Sequence, residues 1–317
     1  MSKLSIVVPM YNAEKYITRL MSSVLSSEEN FELICIDDGS TDKSGDIVNT
    51  IADTRLKVYH KINEGPLKTW LYGLERSTGE YVTFLDADDY IDTEGIGHII
   101  HFIEKVQADM MCTPYYIENR KGVKRWNKLP ISDGLYGWGE LDRIRAVLTG
   151  GTMPYSKCTK VIKKKFLMDF AENIKTNPVN DFEDWLAMIY IFSQIKSVYI
   201  LNKPYYHYIQ HGSSISKSNC SYCKNLESLR YVIECLANCR ADNINLDSVL
   251  FYGEKSILYR ATKIHDTSTI IEILHDNEFR EFLYKKSKLT FFERILLYPR
   301  NVKWMYLCYF IRSAIKK

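Results

Sequence analysis

The chain has 317 residues, 46% of them hydrophobic, and 42 Lys/Arg against 39 Asp/Glu give a net charge of +3. That supports a large core and gives no electrostatic reason to expect nucleic-acid binding. No stretch reaches the roughly 18–20 apolar residues of a membrane span, and the opening run "LSIVV" is too short for a signal peptide, so a cytoplasmic setting with reduced thiols is expected.

The first third alternates between two periods. "LSIVV" (4–8) reads as a buried strand, and Ile17, Leu20, Met21, Val24 and Leu25 then recur at helical spacing. "FELICI" (31–36) is a second strand. A second helix, marked by Ile47, Val48 and Ile51, opens near Ser40–Asp42, which supply capping side chains. "LKVYH" (56–60) is a third strand, Pro66 can start the next helix, and Gly79 marks the turn before the strand "YVTFL". A helix over 96–106 and the strand "DMMCT" (109–113) follow. The middle, 114–218, is irregular and aromatic, with a hairpin expected around Lys121–Gly122 and a helix near Asp181–Gln194. The last hundred residues read as helices. Strand-helix alternation predicts an α/β fold with a mainly parallel central sheet, followed by a C-terminal helical region.

Ligands bind such sheets at the carboxyl ends of the strands. There the sequence places "PMYN", "DDGSTD", "NEG" and "DADD", one after each of four consecutive strands. Like charges clustered at the end of a buried strand serve no packing purpose. An Asp-x-Asp there can hold Mg2+ or Mn2+ while the cation bridges a diphosphate, or an Asp can cap the next helix. Asp37 and Asp38 exceed what a cap requires, and a carboxylate there can accept a hydrogen bond from a base N–H.

As a set, "SIVVPMYNAEKYI", "ICIDDGSTDKS", "NEG" and "GEYVTFLDADDYI" resemble the family 2 inverting glycosyltransferases with a GT-A fold, across about residues 1–115 and more weakly to 218. The resemblance implies a donor half (1–115) and an acceptor half (116–218) of a GT-A domain, with 219–317 as a separate helical region. It implies a nucleotide pocket lined by Pro9 and Tyr11, a base-binding Asp38, and Asp86 and Asp88 as the Asp-x-Asp pair. Asp88 is then the main ligand of Mn2+ or Mg2+, and Asp86 meets the ribose or the metal. "NDFEDWL" resembles the family's later Glu-Asp motif, which assigns Asp184 as catalytic base with Glu183 beside it; the same acids also suit the first turn of a helix. "YYHYIQHGSSIS" has the look of a loop closing over the donor, so that His207, His211, Ser213 and Ser214 contact phosphate, metal or acceptor, or else form an ordinary polar loop. Lys157 and Lys160 can reach phosphate or acceptor. The chain departs from the family where Trp70 and Leu71 stand at positions commonly Arg and Asn. Lys68 can substitute as a cation, while Trp70 suits core packing.

From Lys285 to Lys317 nine Lys/Arg stand against the single acid Glu293, beside a stripe of Trp304, Leu307, Cys308, Ile311 and Ile315. That pattern suits an anionic membrane surface, the main domain, or a second subunit in a homo-oligomer. Cys220, Cys223, Cys235 and Cys239 have a spacing that zinc could use, or they pack on helix faces. The resemblance implies transfer of a sugar from a nucleotide donor, UDP above all, to a glycan or lipid-linked acceptor of a bacterial surface polysaccharide such as capsule or lipopolysaccharide, on a peripheral membrane enzyme. The alternative is a non-catalytic nucleotide-sugar or glycan-binding scaffold. A pyrophosphorylase lacks its Gly-rich, Arg-containing loop here, and a dehydrogenase its G-x-G-x-x-G.

Overall fold

The computed structural model describes residues 3–119, 122, 124–141, 155–173 and 183–210, with isolated positions between 229 and 273. The chain divides into two compact units, Met1–Ser214 and Ile215–Lys317. All the elements below lie in the first. The helical expectation for the C-terminal region and its basic, apolar stripe fall outside the described residues, as do Cys220, Cys223 and Cys239. Cys235 is a half-buried free thiol. Among the described residues no helix is long and apolar enough to cross a membrane.

The strands of the first third are β1 (Leu4–Met10), β2 (Glu32–Asp37), β3 (Leu56–His60) and β4 (Tyr81–Phe84). Between them run α1 (Ile17–Leu25), α2 (Ser44–Asn49) and α3 (Pro66–Arg76). β5 (Tyr90–Ile91) and α4 (Thr93–His101) follow, and α4 runs into a π-helical turn, Phe102–Val106. Gln107, at φ 57°, ends that turn in the left-handed region. Next come β6 (Met110–Cys112), β7 (Tyr115–Asn119), β8 (Lys124–Asn127) and β9 (Gly134–Tyr136). The remainder is β10 (Lys160–Lys163), α5 (Lys164–Asn173), α6 (Glu183–Gln194), β11 (Val198–Ile200) and β12 (Tyr206–Gln210).

Eight strands form one sheet in the order β3-β2-β1-β4-β10-β6-β11-β9. β3, β2, β1 and β4 are mutually parallel, β10 runs against both its neighbours, and β11 is parallel to β6, so only β10 and β9 oppose the rest. The mainly parallel expectation therefore holds. β1, β2 and β4 are buried almost throughout, as strands covered on both faces must be. Pro9 is tolerated within a central strand because β1 pairs with β4 only over Leu4–Val7. Its missing N–H therefore interrupts no ladder bond on that side. A Cβ on Gly73 would come within 2.5 Å of Val7 Cγ1, so α3 lies close on β1.

A second sheet, β5-β12-β7-β8, was not legible as such in the sequence. β7 and β8 form the antiparallel pair expected around residue 122. β12 runs parallel to β7 and antiparallel to β5. β5 begins at the residue after "DADD", so the second sheet grips the acidic loop directly. The segment read as a closing loop from 205 is, over its first part, this strand.

Candidate active site

The loops after the first three strands are laced together at one sheet edge. Asn12 adopts φ 51°; its Oδ1 accepts from Thr41 N at 2.8 Å, and its own N donates to Ser40 Oγ at 3.0 Å. Asp42 accepts from Ser44 N at 2.9 Å, at the start of α2, and from Glu14 N at 3.1 Å. One side chain thus caps the helix and ties the first loop to the second. Gly39 sits at φ 71°, and a Cβ there would lie 2.9 Å from Asn63 N. Only glycine allows both that conformation and that approach to the third loop. Pro9 is half-buried at this edge, and Tyr11 stands 51% exposed.

Asp38 is 3% exposed. Its Oδ1 accepts from Lys61 Nζ at 2.6 Å and Glu64 N at 3.0 Å, and its Oδ2 from Gly65 N at 3.0 Å. The carboxylate thereby shapes the "NEG" loop, and a base N–H would have to use the one acceptor position left on Oδ2. The cation here is Lys61, which also pairs with Glu64 at 3.0 Å. Lys68 does not take that place: it is exposed and pairs with Glu64 one helical turn back. Lys61 follows directly on the third strand, and that adjacency was its only signal in the sequence. Trp70 is 1% exposed, stacked on Phe170 at 5.7 Å and edge-on to Phe84 at 5.3 Å. It is a core residue.

The acids of "DADD" part company. Asp86 and Asp88 are partly open. Arg19 Nη2 donates to the Asp88 carbonyl at 2.8 Å. Desolvation by the surrounding protein, although the side chain is still partly open, raises the pKa of Asp86; Lys157 works against the rise, and Asp184 and Asp88 add to it. Asp89, 1% exposed, neither faces the cleft nor caps the next helix. It accepts from the Tyr206 hydroxyl and from Ile209 N at 2.8 Å, both on β12. Burial first, then the charges of Asp86 and Asp88, push its pKa well above the usual carboxylate range.

Asp184 lies in the first turn of α6, a helix buried on all sides from Trp185 to Ser193 and therefore fixed in place. Lys157 Nζ donates to Asp184 Oδ1 at 2.9 Å and Lys157 N to Oδ2 at 3.3 Å. The same ammonium stands 3.8 Å from Asp86 Oδ1. Carboxylates far apart in the sequence, Asp86 and Asp184, thus meet at one buried lysine. Glu183 is pushed up to about 8, by burial first and by the Asp184 charge second.

Two expected contacts are corrected. His207 is fully buried. It lies between Asp92 Oδ1 at 2.9 Å and Glu118 Oε1 at 2.6 Å, with the Tyr90 ring stacked on it at 4.1 Å. It braces the second sheet and is closed to substrate. Lys160, 1% exposed, donates to Ser156 O at 3.0 Å and Thr159 Oγ1 at 2.7 Å. It anchors the turn before β10, and Lys157 three residues earlier is the lysine at the site. His211, Ser213 and Ser214 lie outside the described residues.

Among the described residues no three His, Cys, Asp or Glu side chains converge as a metal cage. Mg2+ and Mn2+ commonly use only one or two protein carboxylates and complete their shell with phosphate oxygens and water. The partly open pair Asp86 and Asp88 fits that mode.

Residues 5–170, just over half of the chain, match the model of glycosyl transferase family 2. An uncharacterized glycosyltransferase of Haemophilus influenzae is 43% identical over 107 residues, covering 32% of this chain and 43% of that protein. The poly(ribitol-phosphate) beta-N-acetylglucosaminyltransferase TarS of Staphylococcus aureus is 27% identical over 265 residues, 79% of this chain and 43% of TarS. The chain thus spans less than half the length of either relative. The crystal structure of S. aureus TarS 1-349 in complex with UDP-GlcNAc has the same fold, with a TM-score of 0.65 at 24% identity over 93% of this chain and 78% of that one. With the sheet order, the acidic loops and the matched residues in agreement, the chain belongs to glycosyl transferase family 2.

Proposed function

We propose that this protein transfers a sugar, with inversion, from a UDP-sugar to a hydroxyl of a glycan or lipid-linked acceptor in surface-polysaccharide synthesis. The observation that carries the reading is the meeting of Asp86 and Asp184 at Lys157, 3.8 and 2.9 Å from its ammonium. A carboxylate for the nucleotide side and one for the hydroxyl side belong that close together if a single displacement happens between them. The solved complex of TarS with UDP-GlcNAc supports a uridine nucleotide as donor. TarS's name, which specifies a poly(ribitol-phosphate) acceptor, supports a surface polymer as acceptor class.

Tyr11 offers a ring face to the base beside Pro9, and Asp38 offers its remaining acceptor position. Asp86 and Asp88 would hold Mn2+ or Mg2+, which when bound neutralises charge on the departing diphosphate. Asp184 takes the proton of the acceptor hydroxyl as that oxygen bonds to the anomeric carbon. The bond from that carbon to the diphosphate breaks on the opposite face and UDP leaves. Among the described residues only Lys157 bonds to the Asp184 oxygens, one bond to each, so the carboxylate can be both held and used. The work takes place on the cytoplasmic side, with the basic C-terminal stripe meeting the anionic membrane surface.

A panel of UDP-, GDP-, CDP- and TDP-sugars incubated with the protein and Mn2+ tests the reading through release of the nucleoside diphosphate. Release from at least one UDP-sugar, abolished by EDTA, is expected. Release from another nucleotide class alone overturns the UDP assignment. Binding without turnover of any donor favours the scaffold alternative.

A further inference from the structure

We propose that Lys157 is a positioning residue of the transfer reaction. It holds the Asp184 carboxylate by both oxygens and fixes its distance from Asp86. The proposal rests on the reading of Asp184 as the base.

Three observations carry it. The grip is two-handed: the side chain takes Oδ1 at 2.9 Å and the main chain of the same residue takes Oδ2 at 3.3 Å. A carboxylate bound through both oxygens cannot rotate about χ2 without breaking one bond, so its remaining lone pairs point in set directions. The holder is itself immobile. Lys157 opens a tight turn, Lys157–Thr159, whose Cys158 N donates to Ser156 Oγ at 3.2 Å. That turn runs straight into β10, locked between β4 and β6 in the central sheet. Exposure is also unequal. The Lys157 side chain is 7% exposed, whereas those of Asp184 and Asp86 are 25% and 43% exposed. The cation is shut in behind two acids that both present a face to solvent. A surface ion pair formed for stability alone has no reason for that asymmetry.

At 3.8 Å the contact from Lys157 to Asp86 is too long for a hydrogen bond and acts through charge. Lys157 therefore orients Asp184 and only spaces Asp86. Its removal should fall on the chemical step rather than on donor affinity.

The test compares Lys157→Met, Asp184→Asn and the double variant, using turnover with Mn2+ of the UDP-sugar that the donor panel selects and UDP affinity by calorimetry. Misplacing a reacting group by about 1 Å costs on the order of 100-fold. Lys157→Met should therefore lower kcat by about 100-fold, with KM and the UDP Kd within about threefold. In the Asp184→Asn background the same change should cost less than about threefold, because Lys157 then has no base to aim. A full further loss in the double variant overturns the proposal, as does a rise in KM with kcat unchanged. Normal turnover by Asp184→Asn is a different result: it removes the base assignment and the proposal with it. Lys157→Gln, which keeps a donor at this position, replaces Lys157→Met if the latter melts early. A crystal structure of either variant gives a readout independent of turnover. The Asp184 carboxylate should be rotated or split between positions, and an unmoved carboxylate counts against the proposal.

Discussion

Replacing Asp89 tests how the acidic loop is held. In Asp89→Ala, Ile209 N loses the acceptor 2.8 Å away and the Tyr206 hydroxyl loses its acceptor as well. The hydroxyl is buried and the amide partly so, and an unsatisfied buried donor costs about 1–3 kcal/mol. Some of this is offset because a buried carboxyl is no longer desolvated. The net loss should be about 2–4 kcal/mol, read as a lower urea midpoint at unchanged m-value. Asp89→Asn keeps an oxygen for Ile209 N and should cost about half as much. The two variants also differ from wild type in pH dependence. A carboxyl whose folded pKa is raised contributes stability that is present below its unfolded value near 3.8 and is lost as pH rises through the folded value. Wild-type stability should therefore carry a falling component above pH 4 that both variants lack. A loss below about 0.5 kcal/mol in Asp89→Ala would refute the clamp, because surface positions behave that way.

Two further outcomes follow from the same reasoning. Glu32 is 5% exposed, and bonds from Lys57, Ser5 and Thr78 outweigh burial to hold its pKa at about 2. Its stabilisation is complete above pH 4.5 and fades as pH falls toward 2, a change of about 3 kcal/mol that Glu32→Gln should remove from an acid-unfolding curve. Trp70→Ala should cost about 3–5 kcal/mol by emptying the space between Phe84 and Phe170, whereas Trp70→Phe should fold and bind UDP with unchanged affinity in calorimetry.

Much of the architecture was legible because β1, β2 and β4 are largely apolar runs, with β3 a shorter, more polar one, and helices with an apolar stripe stand between them. The second sheet was not, because β5 contains two residues, too few to show a period, and β12, "YHYIQ", has no clear alternation and reads equally well as a loop. The acids of the site stood out because charge at the end of a buried strand is costly and demands a reason. Their division of labour did not. Asp89 is distinguished from Asp88 only by partners on β12, 117 and 120 residues away. Glu32 carried no signal in the sequence, although it accepts bonds from residues 46 and 47 positions on. Lys160 and Lys157 were equivalent on the page of sequence; one turn of backbone before β10 decides that the first anchors that turn and the second pairs with Asp184 and Asp86. The departure at Trp70 is accounted for by packing, since its ring fills the space between Phe84 and Phe170 in the core.

The central claim is that Asp184 removes the acceptor proton next to a nucleotide held at Asp86 and Asp88. The most direct measurement is the turnover of Asp184→Asn against its affinity for UDP, both with Mn2+ present. The account predicts UDP binding within about threefold of wild type and transfer reduced by about 10²–10⁴-fold, the range for loss of a general base. Transfer at the wild-type rate, with binding intact, would contradict it.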